Sequence, residues 1–323
     1  MSENILEVNN LTVRYISREV GTCHAVNDIS FSVEKGETIG LVGETGAGKT
    51  TIALSIMRLL QMPPAKILSG EILLNGEDIL KMPDARMRKI RGNRISMIFQ
   101  DPMTALNPID KVGDQISEMV RLHLKLSKAQ AAGKAAEMME MVGIQSTRFN
   151  DYPHQFSGGM KQRVVIAIAL ACKPELLLAD EPTTALDVTI QAQVLNMMKE
   201  LRNELGTSMV LITHDLGVVA ETCDRVAVVY AGEIVEIGAA DVVFNKRSHP
   251  YTVGLFNSLP DITGERKRLI PIPGLMPDPT ALPRGCKFSQ RCQLCDETCT
   301  QEPIELRLES GTHYVRCLKV GAS

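Results

Sequence analysis

The stretch LVGETGAGKTT, residues 41–51, fits the pattern G-x-x-x-x-G-K-[ST]. Its glycines let the backbone turn tightly, so that successive N–H groups point inward toward a polyphosphate. A helix is predicted to begin near Lys49, with its positive end facing the same anion. Lys49 is expected to reach the outer phosphates and the Thr50 hydroxyl to ligate Mg²⁺. We therefore expect nucleotide binding by the whole loop: Gly43, Glu44, Thr45, Gly46, Ala47, Gly48, Lys49, Thr50 and Thr51.

The flanks of this loop supply the strand and the helix that it requires. Residues 38–42 have the pattern of a buried strand, and the spacing of Ile52, Ile56 and Leu59 predicts an amphipathic helix. Farther along, strands are predicted at 95–99, 176–179 and 209–213, and helices at 159–171 and 189–205. This alternation predicts an α/β fold with a parallel sheet between helix layers. Strands are also predicted at 5–15 and 29–42, and a helical pattern at 112–142. The early antiparallel strands and the stretch at about 101–160 are expected to be additions to the core.

The composition is that of a globular protein of one or two domains. The 323 residues are 44% hydrophobic and 23% charged, and the net charge of −3 argues against nucleic-acid binding through an overall basic field. The start, MSENILEVNN, lacks the basic and apolar segments of a signal peptide. Apolar runs such as 164–172 are too short to cross a bilayer, so any membrane process would need other chains for the crossing.

Two carboxylates follow the apolar strand predicted at 176–179. Open α/β sheets place ligands at the carboxyl ends of their strands, where Asp180 and Glu181 stand. Asp180 is expected to hold Mg²⁺, directly or through water. Glu181 is expected to polarise the water that attacks the γ-phosphate.

A second anion-binding helix start is predicted in FSGGMKQR, residues 156–163. Ser157 can cap the helix, and Gly158 and Gly159 permit the close approach of an anion. Because the first loop already holds the phosphates of one nucleotide, we expect this motif to serve a nucleotide held by another subunit.

These motifs, in this order over about residues 5–240, resemble the ATP-binding cassette (ABC) ATPases. The stretch FSGGMKQR is similar to the family signature, usually Leu-Ser-Gly-Gly-Gln, with Phe156 and Met160 as substitutions. The resemblance implies a P-loop NTPase cassette: a parallel sheet core, an antiparallel β subdomain and a helical subdomain at about 101–160. Each ATP is then expected between residues 43–51 of one chain and 157–159 of the other.

The resemblance also implies roles for residues that no motif above explains. Tyr15 stands where an aromatic ring stacks on adenine, and Gln100 matches the glutamine loop, which assists catalysis. Asp187, in Ala185-Leu186-Asp187, belongs to a loop that crosses to the partner subunit. His214 matches the switch histidine that touches the γ-phosphate. The expected catalytic residues are thus Lys49, Gln100, Glu181 and His214, and the expected Mg²⁺ ligands are Thr50, Gln100 and Asp180.

Three stretches are similar to the peptide-permease branch of the family: FQDPMTALNP from Phe99, HPYTVGLF at 249–256 and the cysteine-bearing tail. Members of that branch are ATPase subunits of bacterial dipeptide, oligopeptide and, in some cases, nickel importers. The resemblance implies a cassette at 1–240 and a loop-rich C-terminal extension at 241–323. His249-Pro250-Tyr251 opens that extension and is expected to be structural.

The same resemblance implies the partners and the location of the protein. A second ATPase subunit, paralogous or identical, pairs with it, and two transmembrane permease subunits are contacted by the segment after Gln100. An extracytoplasmic solute-binding protein is an indirect partner, and no nucleic acid is expected. The protein would lie peripherally on the cytoplasmic face of the cell membrane.

The eight cysteines, without a secretion signal, indicate a reducing compartment. Four of them have the spacing C-x5-C-x6-C-x17-C: Cys286, Cys292, Cys299 and Cys317. Thiolates in loops hold a [4Fe–4S] cluster or Zn²⁺, and the resemblance favours the cluster. Cys295 is an alternative ligand, and free thiols or a disulfide are the alternative to a metal. The remaining cysteines, expected to be buried apolar residues, are Cys23, Cys172 and Cys223.

Other functions remain open on the sequence. The imported solute can be nickel or another small molecule instead of a peptide. A soluble ABC ATPase acting on nucleic acid or ribosomes is a second class, although such proteins usually carry coiled-coil insertions or two cassettes. Here one cassette is present, and only about a hundred residues separate Thr50 from Ser157. A metal-sensing module, with the tail as its main function, is a third.

Overall fold

The computed structural model describes residues 3–19, 21–183, 186–258 and 271–320, with the side chains of residues 102, 103 and 188 outside that description. The strands are β1 Asn4–Ser17, β2 Gly21–Glu34, β3 Thr38–Val42, β4 Ala65–Leu74, β5 Glu77–Asp78, β6 Ile95–Ile98, β7 Leu176–Asp180, β8 Ser208–Ile212, β9 Arg225–Tyr230, β10 Glu233–Ala239, β11 Arg307–Ser310 and β12 His313–Val315.

The α-helices are α1 Lys49–Ile56, α2 Asp84–Ile90, α3 Pro102–Ala105, α4 Val112–Leu124, α5 Lys128–Met141, α6 Gly158–Leu170, α7 Val188–Leu205, α8 Leu216–Thr222, α9 Ala240–Asn245, α10 Pro250–Asn257 and α11 Thr298–Gln301. Short 3₁₀ helices span Ser146–Asn150, Pro153–Gln155 and Ser289–Arg291. None of the helices in the described ranges combines the length and the apolar character needed to cross a bilayer.

The chain divides into two compact units. The first contains Met1–Leu6, Ser32–Thr38 and Leu73–Ile212, and the second contains Glu7–Phe31, Ile39–Ile72 and Thr213–Ser323.

The first unit is built on three parallel strands, with β7 between β6 and β8. Every residue of β7 is buried, as expected of a parallel strand covered on both faces. Helices α4, α5 and α6 pack on one another, and α6 also packs on α7 and β6. The carboxyl ends of β6 and β7 lie side by side, in the register Ile98↔Ala179. This register brings together the segments that follow the two strands.

The second unit carries the phosphate-binding loop. Strand β3 pairs in parallel with β9, and β9, β10, β12 and β11 follow one another in antiparallel pairs. In a separate sheet, β1 lies between β2 and β4. The β9–β10 hairpin turns at Ala231 and Gly232, both at positive φ (46° and 79°). Strand β3, which is buried throughout, leads into the loop and then into α1.

Three local predictions are corrected by the structure. The stretch 112–142 is two helices, because Lys125 takes a left-handed conformation (φ 53°) and Ser127 starts α5 with a capping box that includes Gln130. Helix α1 ends at Ile56, so Leu59 lies beyond it and is 40% exposed. Cys23 is half-buried, whereas Cys172 and Cys223 are buried as predicted.

Candidate nucleotide site and cysteine-lined cavity

The conformation of the phosphate-binding loop requires its glycines. Gly43 has φ 151° and Gly48 has φ 104°. A Cβ atom at Gly43 would overlap the carbonyl oxygen of Val229, and one at Gly48 would overlap that of Ala25. Only glycine fits both the backbone angles and the close approach at these two positions.

Lys49 begins α1 and is 7% exposed. Its Nζ donates hydrogen bonds to the carbonyl oxygens of Gly43 (2.7 Å) and Glu44 (3.0 Å), so the ammonium group lies against the loop backbone. Thr50 is exposed at the helix start. A buried positive charge beside a turn of N–H groups suits the binding of a polyphosphate.

Tyr15 lies beside the first turn of α1. Its hydroxyl is 3.3 Å from Oγ1 of Thr51, and the tyrosine is half-buried in β1. Tyr15, the predicted adenine-binding residue, therefore contacts the loop at Thr51, which is 36 residues away in sequence.

The two carboxylates predicted to hold Mg²⁺ (Asp180) and to act on water (Glu181) lie at the end of β7 in the first unit. Asp180, the last residue of β7, is 2% exposed. Glu181 follows at φ 46°, and its N–H donates to the carbonyl oxygen of Ile212 at 2.8 Å. The Glu181 carboxylate accepts a hydrogen bond of 2.9 Å from Nε2 of Gln100. Since β6 and β7 are adjacent and parallel, the residues after them meet at one edge of the sheet.

The signature-like motif forms an exposed helix start. Ser157 is the N-cap of α6, and its Oγ accepts from the N–H of Met160 at 3.4 Å. Ser157 and Gly158 are exposed, whereas Phe156 is 5% exposed and has the Arg148 guanidinium 4.2 Å from its ring centre. Phe156 thus anchors the motif, while Ser157 and Gly158 face solvent.

A Cβ atom at Gly159 would lie 2.6 Å from Cγ2 of Ile190, so α6 and α7 approach closely at this glycine. Asp187, exposed, precedes α7 as its N-cap residue. Ala185, predicted to belong to the same loop as Asp187, lies outside the described residues.

His214 is exposed in the turn before α8. The next residue, Asp215, caps that helix by accepting hydrogen bonds from the N–H groups of Gly217 (2.9 Å) and Val218 (3.3 Å). Its own N–H donates to Oγ1 of Thr213 at 3.0 Å. The hydrogen bonds of its two neighbours, Thr213 and Asp215, therefore fix the turn in which His214 lies.

Sequence reasoning missed two residues that contact the phosphate-binding loop. The N–H of Glu44 donates to the hydroxyl of Tyr251 at 2.9 Å, and Arg291 forms an ion pair with the Glu44 carboxylate. Tyr251 belongs to the motif His249-Pro250-Tyr251, for which we predicted only a structural role. No local pattern distinguished Arg291.

The five cysteines of the tail line one cavity, together with His249, Phe288 and Ile304 among others. Cys299 and Cys317 are buried, and the remaining three thiols are half-buried. Burial raises the pKa of the Cys286 thiol to about 12, which makes it a neutral thiol at neutral pH.

The arrangement does not directly support the predicted metal. Among the residues that the structure describes, no group of three or more His, Cys, Asp and Glu side chains is placed to hold a metal ion. His249, which also lines this cavity, is nevertheless buried and has a nitrogen available for a hydrogen bond. Its Nδ1 accepts from the N–H of Tyr251 at 3.0 Å, and its Nε2 has no partner in the described part of the chain. Burial lowers the pKa of His249 to about 3, so the ring is neutral and Nε2 carries the proton.

Comparisons with known proteins agree with this geometry. The family model described as ABC transporter matches residues 26–184, and the one described as oligopeptide/dipeptide transporter, C-terminal region, matches residues 235–299. The oligopeptide transport ATP-binding protein AppD of Bacillus subtilis is 49% identical over 97% of this chain and 96% of its own length. The dipeptide transport ATP-binding protein DppD of the same organism is 48% identical over 98% and 94%.

The chain belongs to the peptide-transporter branch of the ABC ATPases. Among solved structures, a dimeric ATP-binding cassette in a post-hydrolysis state with ADP and Pi has a TM-score of 0.65 and 27% identity, and the match covers 73% of this chain and 98% of that one. The predicted ABC-cassette fold is thereby confirmed, and the protein is an ABC-type ATPase.

Proposed function

We propose that this ABC ATPase energises the import of dipeptides or oligopeptides. The observation that carries the proposal is the joint match to the cassette and to the oligopeptide/dipeptide transporter C-terminal region, with about half of all residues identical to peptide-transport relatives. Nickel or another small solute is the alternative cargo. We further propose that the cassette spans 1–240, with its helical part at about 101–160, and that the extension spans 241–323.

We assign the nucleotide to residues 43–51, with Tyr15 against adenine. When bound, Mg²⁺ would neutralise phosphate charge, and the residues that would hold it are Thr50, Gln100 and Asp180. The oxygen-rich donor set of hydroxyl, amide and carboxylate fits this hard cation. Lys49 would hold the outer phosphates, Glu181 would orient the attacking water, and His214 would contact the γ-phosphate.

We propose that turnover requires a second ATPase subunit, identical or paralogous. The support is the exposure of Ser157 and Gly158 at a helix start suited to an anion, and of Asp187 before α7. The related cassette of known structure is itself dimeric. Residues 157–159 of one chain would then close over the nucleotide held by residues 43–51 of the other.

Two transmembrane permease subunits are the proposed membrane partners, with the protein peripheral on the cytoplasmic face. The segment after Gln100 is the proposed contact. Large apolar side chains are exposed within and directly before this segment, at Ile109 (79% exposed) and Phe99 (44%). A cleft of about 370 Å³, lined in part by Asp114 and Arg121 of α4, lies in the same unit. An extracytoplasmic solute-binding protein would act only through the permease.

The experiment is reconstitution of the full chain with the chains that co-purify with it from solubilised membranes. We expect ATP-dependent uptake of a labelled tripeptide into vesicles, and no uptake with Lys49→Ala. Uptake of Ni²⁺ instead of peptide would favour the alternative cargo. Recovery with nucleic acid or ribosomes, and without membrane chains, would overturn the transport assignment.

We also propose that the tail cysteines bind a [4Fe–4S] cluster, with Zn²⁺ as the alternative. The chemistry of the lining residues fits a thiolate-ligated group, because five thiols line one cavity. His249 also lines this cavity, and its Nε2–H, which has no partner in the described residues, would be a hydrogen-bond donor beside the group. The proposed ligands are Cys286, Cys292, Cys299 and Cys317, with Cys295 as the alternative. When bound, the group would cross-link the loops of the extension.

Metal and sulfide analysis of anaerobically purified protein tests this second proposal. Four irons with sulfide and absorbance near 400 nm identify the cluster, and stoichiometric zinc identifies the alternative. Cys299→Ser should abolish metal binding, whereas Cys172→Ser, a buried thiol in the first unit, should not. Protein that contains neither metal and whose thiols are all titratable after unfolding would refute it.

A further inference from the structure

The C-terminal extension reaches the second residue of the phosphate-binding loop, Glu44, through two side chains. Tyr251 accepts a hydrogen bond of 2.9 Å from the Glu44 N–H. Arg291 forms a bidentate (forked) ion pair with the Glu44 carboxylate: Nη1 lies 2.8 Å from Oε2, and Nη2 lies 3.1 Å from Oε1. The carbonyl oxygen of Glu44 is also occupied, by the N–H of Ala47 (3.1 Å) and by Nζ of Lys49 (3.0 Å). Every polar group of Glu44 is therefore held.

Both side chains from the extension are held in place by their own surroundings. Tyr251 is fully buried, with its ring centre 4.5 Å from that of Tyr230 and 5.4 Å from that of Phe288. The Arg291 side chain is 6% exposed, and its Nε donates to the carbonyl oxygen of Pro273 at 2.8 Å. Because neither group has to be ordered when the loop forms, both contacts can restrain the loop at little entropic cost.

The ion pair also has an electrostatic consequence for the loop. Glu44 places a negative charge in a segment whose proposed ligand is a polyanion. An unpaired carboxylate there would repel the phosphates, and the repulsion would be strong in partly buried surroundings. The Glu44 side chain is 29% exposed, so water screens it only in part. Arg291 supplies the compensating positive charge at bidentate distance.

We propose that Tyr251 and Arg291 are positioning residues for the phosphate-binding loop. Tyr251 sets the orientation of the Glu44 peptide, and Arg291 holds the Glu44 side chain while cancelling its charge. The extension thereby becomes part of the nucleotide-binding machinery. This inference rests on the proposed binding of ATP by residues 43–51.

The test uses the full chain and measures the affinity for a fluorescent ATP analogue with Mg²⁺, together with KM and kcat for ATP. Arg291→Met should weaken affinity about tenfold, in the range for losing a charge-assisted pair, and raise KM more than it lowers kcat. Adding Glu44→Gln to that variant should restore affinity to within about threefold, because the uncompensated charge is gone.

Two further variants keep the test decisive where Arg291→Met folds poorly. Tyr251→Phe retains the ring but loses the acceptor for the Glu44 N–H, and should weaken affinity about threefold. Arg291→Lys keeps the charge but not the fork, and should lose less affinity than Arg291→Met. Raising the salt concentration should reduce the defect of Arg291→Met, a response that a purely structural role would not produce.

Arg94→Met is the matched control, because Arg94 forms a similar fork with Glu175 (2.8 and 3.1 Å) in the first unit. It should leave nucleotide affinity unchanged. Wild-type affinity in folded Arg291→Met and Tyr251→Phe, or failure of Glu44→Gln to restore binding, would overturn the inference. If Lys49→Ala also binds as tightly as wild type, the assignment of ATP to this loop fails instead.

Discussion

The side-chain amide of Gln100 donates a 2.9 Å hydrogen bond to the carboxylate of Glu181, across 81 residues of sequence. The two residues follow β6 and β7, which are adjacent and parallel. One is a proposed Mg²⁺ ligand and the other is proposed to orient water. The bond fixes the carboxylate at the edge of the sheet where ligands of α/β proteins bind.

Glu181→Gln should leave ATP binding intact and lower turnover by about 100-fold or more, as expected for loss of a catalytic base. The amide oxygen of glutamine can still accept the bond from Gln100, so the geometry is kept while the charge is lost. Phosphate release at saturating MgATP, with binding of a fluorescent ATP analogue in parallel, measures both effects. Persisting turnover would contradict the role given to Glu181.

Gly48→Ala should destabilise the protein by about 3 kcal/mol, since the new methyl group would overlap the Ala25 carbonyl oxygen at an unfavourable φ. Gly133→Ala is the matched control. Gly133 is an exposed residue of α5, and a Cβ atom there would have no neighbour within 4 Å among the described residues, so alanine should stabilise by about 0.5–1 kcal/mol. Urea denaturation followed by circular dichroism gives both values, and equal effects would contradict the close approach at Gly48.

Lys49→Ala and Ser157→Asp should each abolish ATPase activity alone and regain part of it when mixed. Aspartate preserves the cap of α6 but repels phosphate. If each site needs Lys49 from one chain and Ser157 from the other, a mixed dimer has one intact site of two. Random pairing in an equal mixture makes half of the dimers mixed, so the mixture should have about a quarter of wild-type activity. Activity of mixtures over a range of ratios is the measurement. A mixture as inactive as its components, although dimers form, would argue against a shared site.

The ion pair between Arg94 and Glu175 should make stability depend on pH. The hydrogen bond from Arg94 lowers the pKa of Glu175 below its ordinary value. A depressed carboxyl pKa stabilises the fold above the pKa of the unfolded chain, near 4.3, and the contribution is lost as pH falls through the folded value. Glu175→Gln should cost about 0.5–1 kcal/mol at pH 7, a modest amount because the Glu175 side chain is 41% exposed.

Unfolding of Glu175→Gln and wild type at pH 7 and near pH 3 tests this expectation, and the difference should shrink at the lower pH. Glu302→Gln is the control, because its partner Arg284 is 3.6 Å away and both side chains are more than three-quarters exposed. A cost that does not change with pH would show that the charge of Glu175 is not its source.

Local patterns predicted the elements that carry the site. The spacing of Gly43, Gly48 and Lys49 indicated the loop, because glycine permits the tight turns that point N–H groups at an anion. The apolar patterns on either side of it indicated the strand and the helix. The apolar run before Asp180 indicated a buried parallel strand, because such a strand is covered on both faces. The break at Lys125 escaped notice, since the helical periodicity continues on both sides of it and the capping box of Ser127 is a weaker signal.

By itself, then, the amino-acid order determined the cassette, its phosphate-binding loop and the chemical type of each proposed site residue. Only the tertiary structure decided which side chains meet. Tyr251 and Arg291 reach Glu44 from 207 and 247 residues away. Periodicity and motif spacing describe neighbours along the chain, whereas such pairs arise when distant segments bury apolar surface together and their polar groups must find partners.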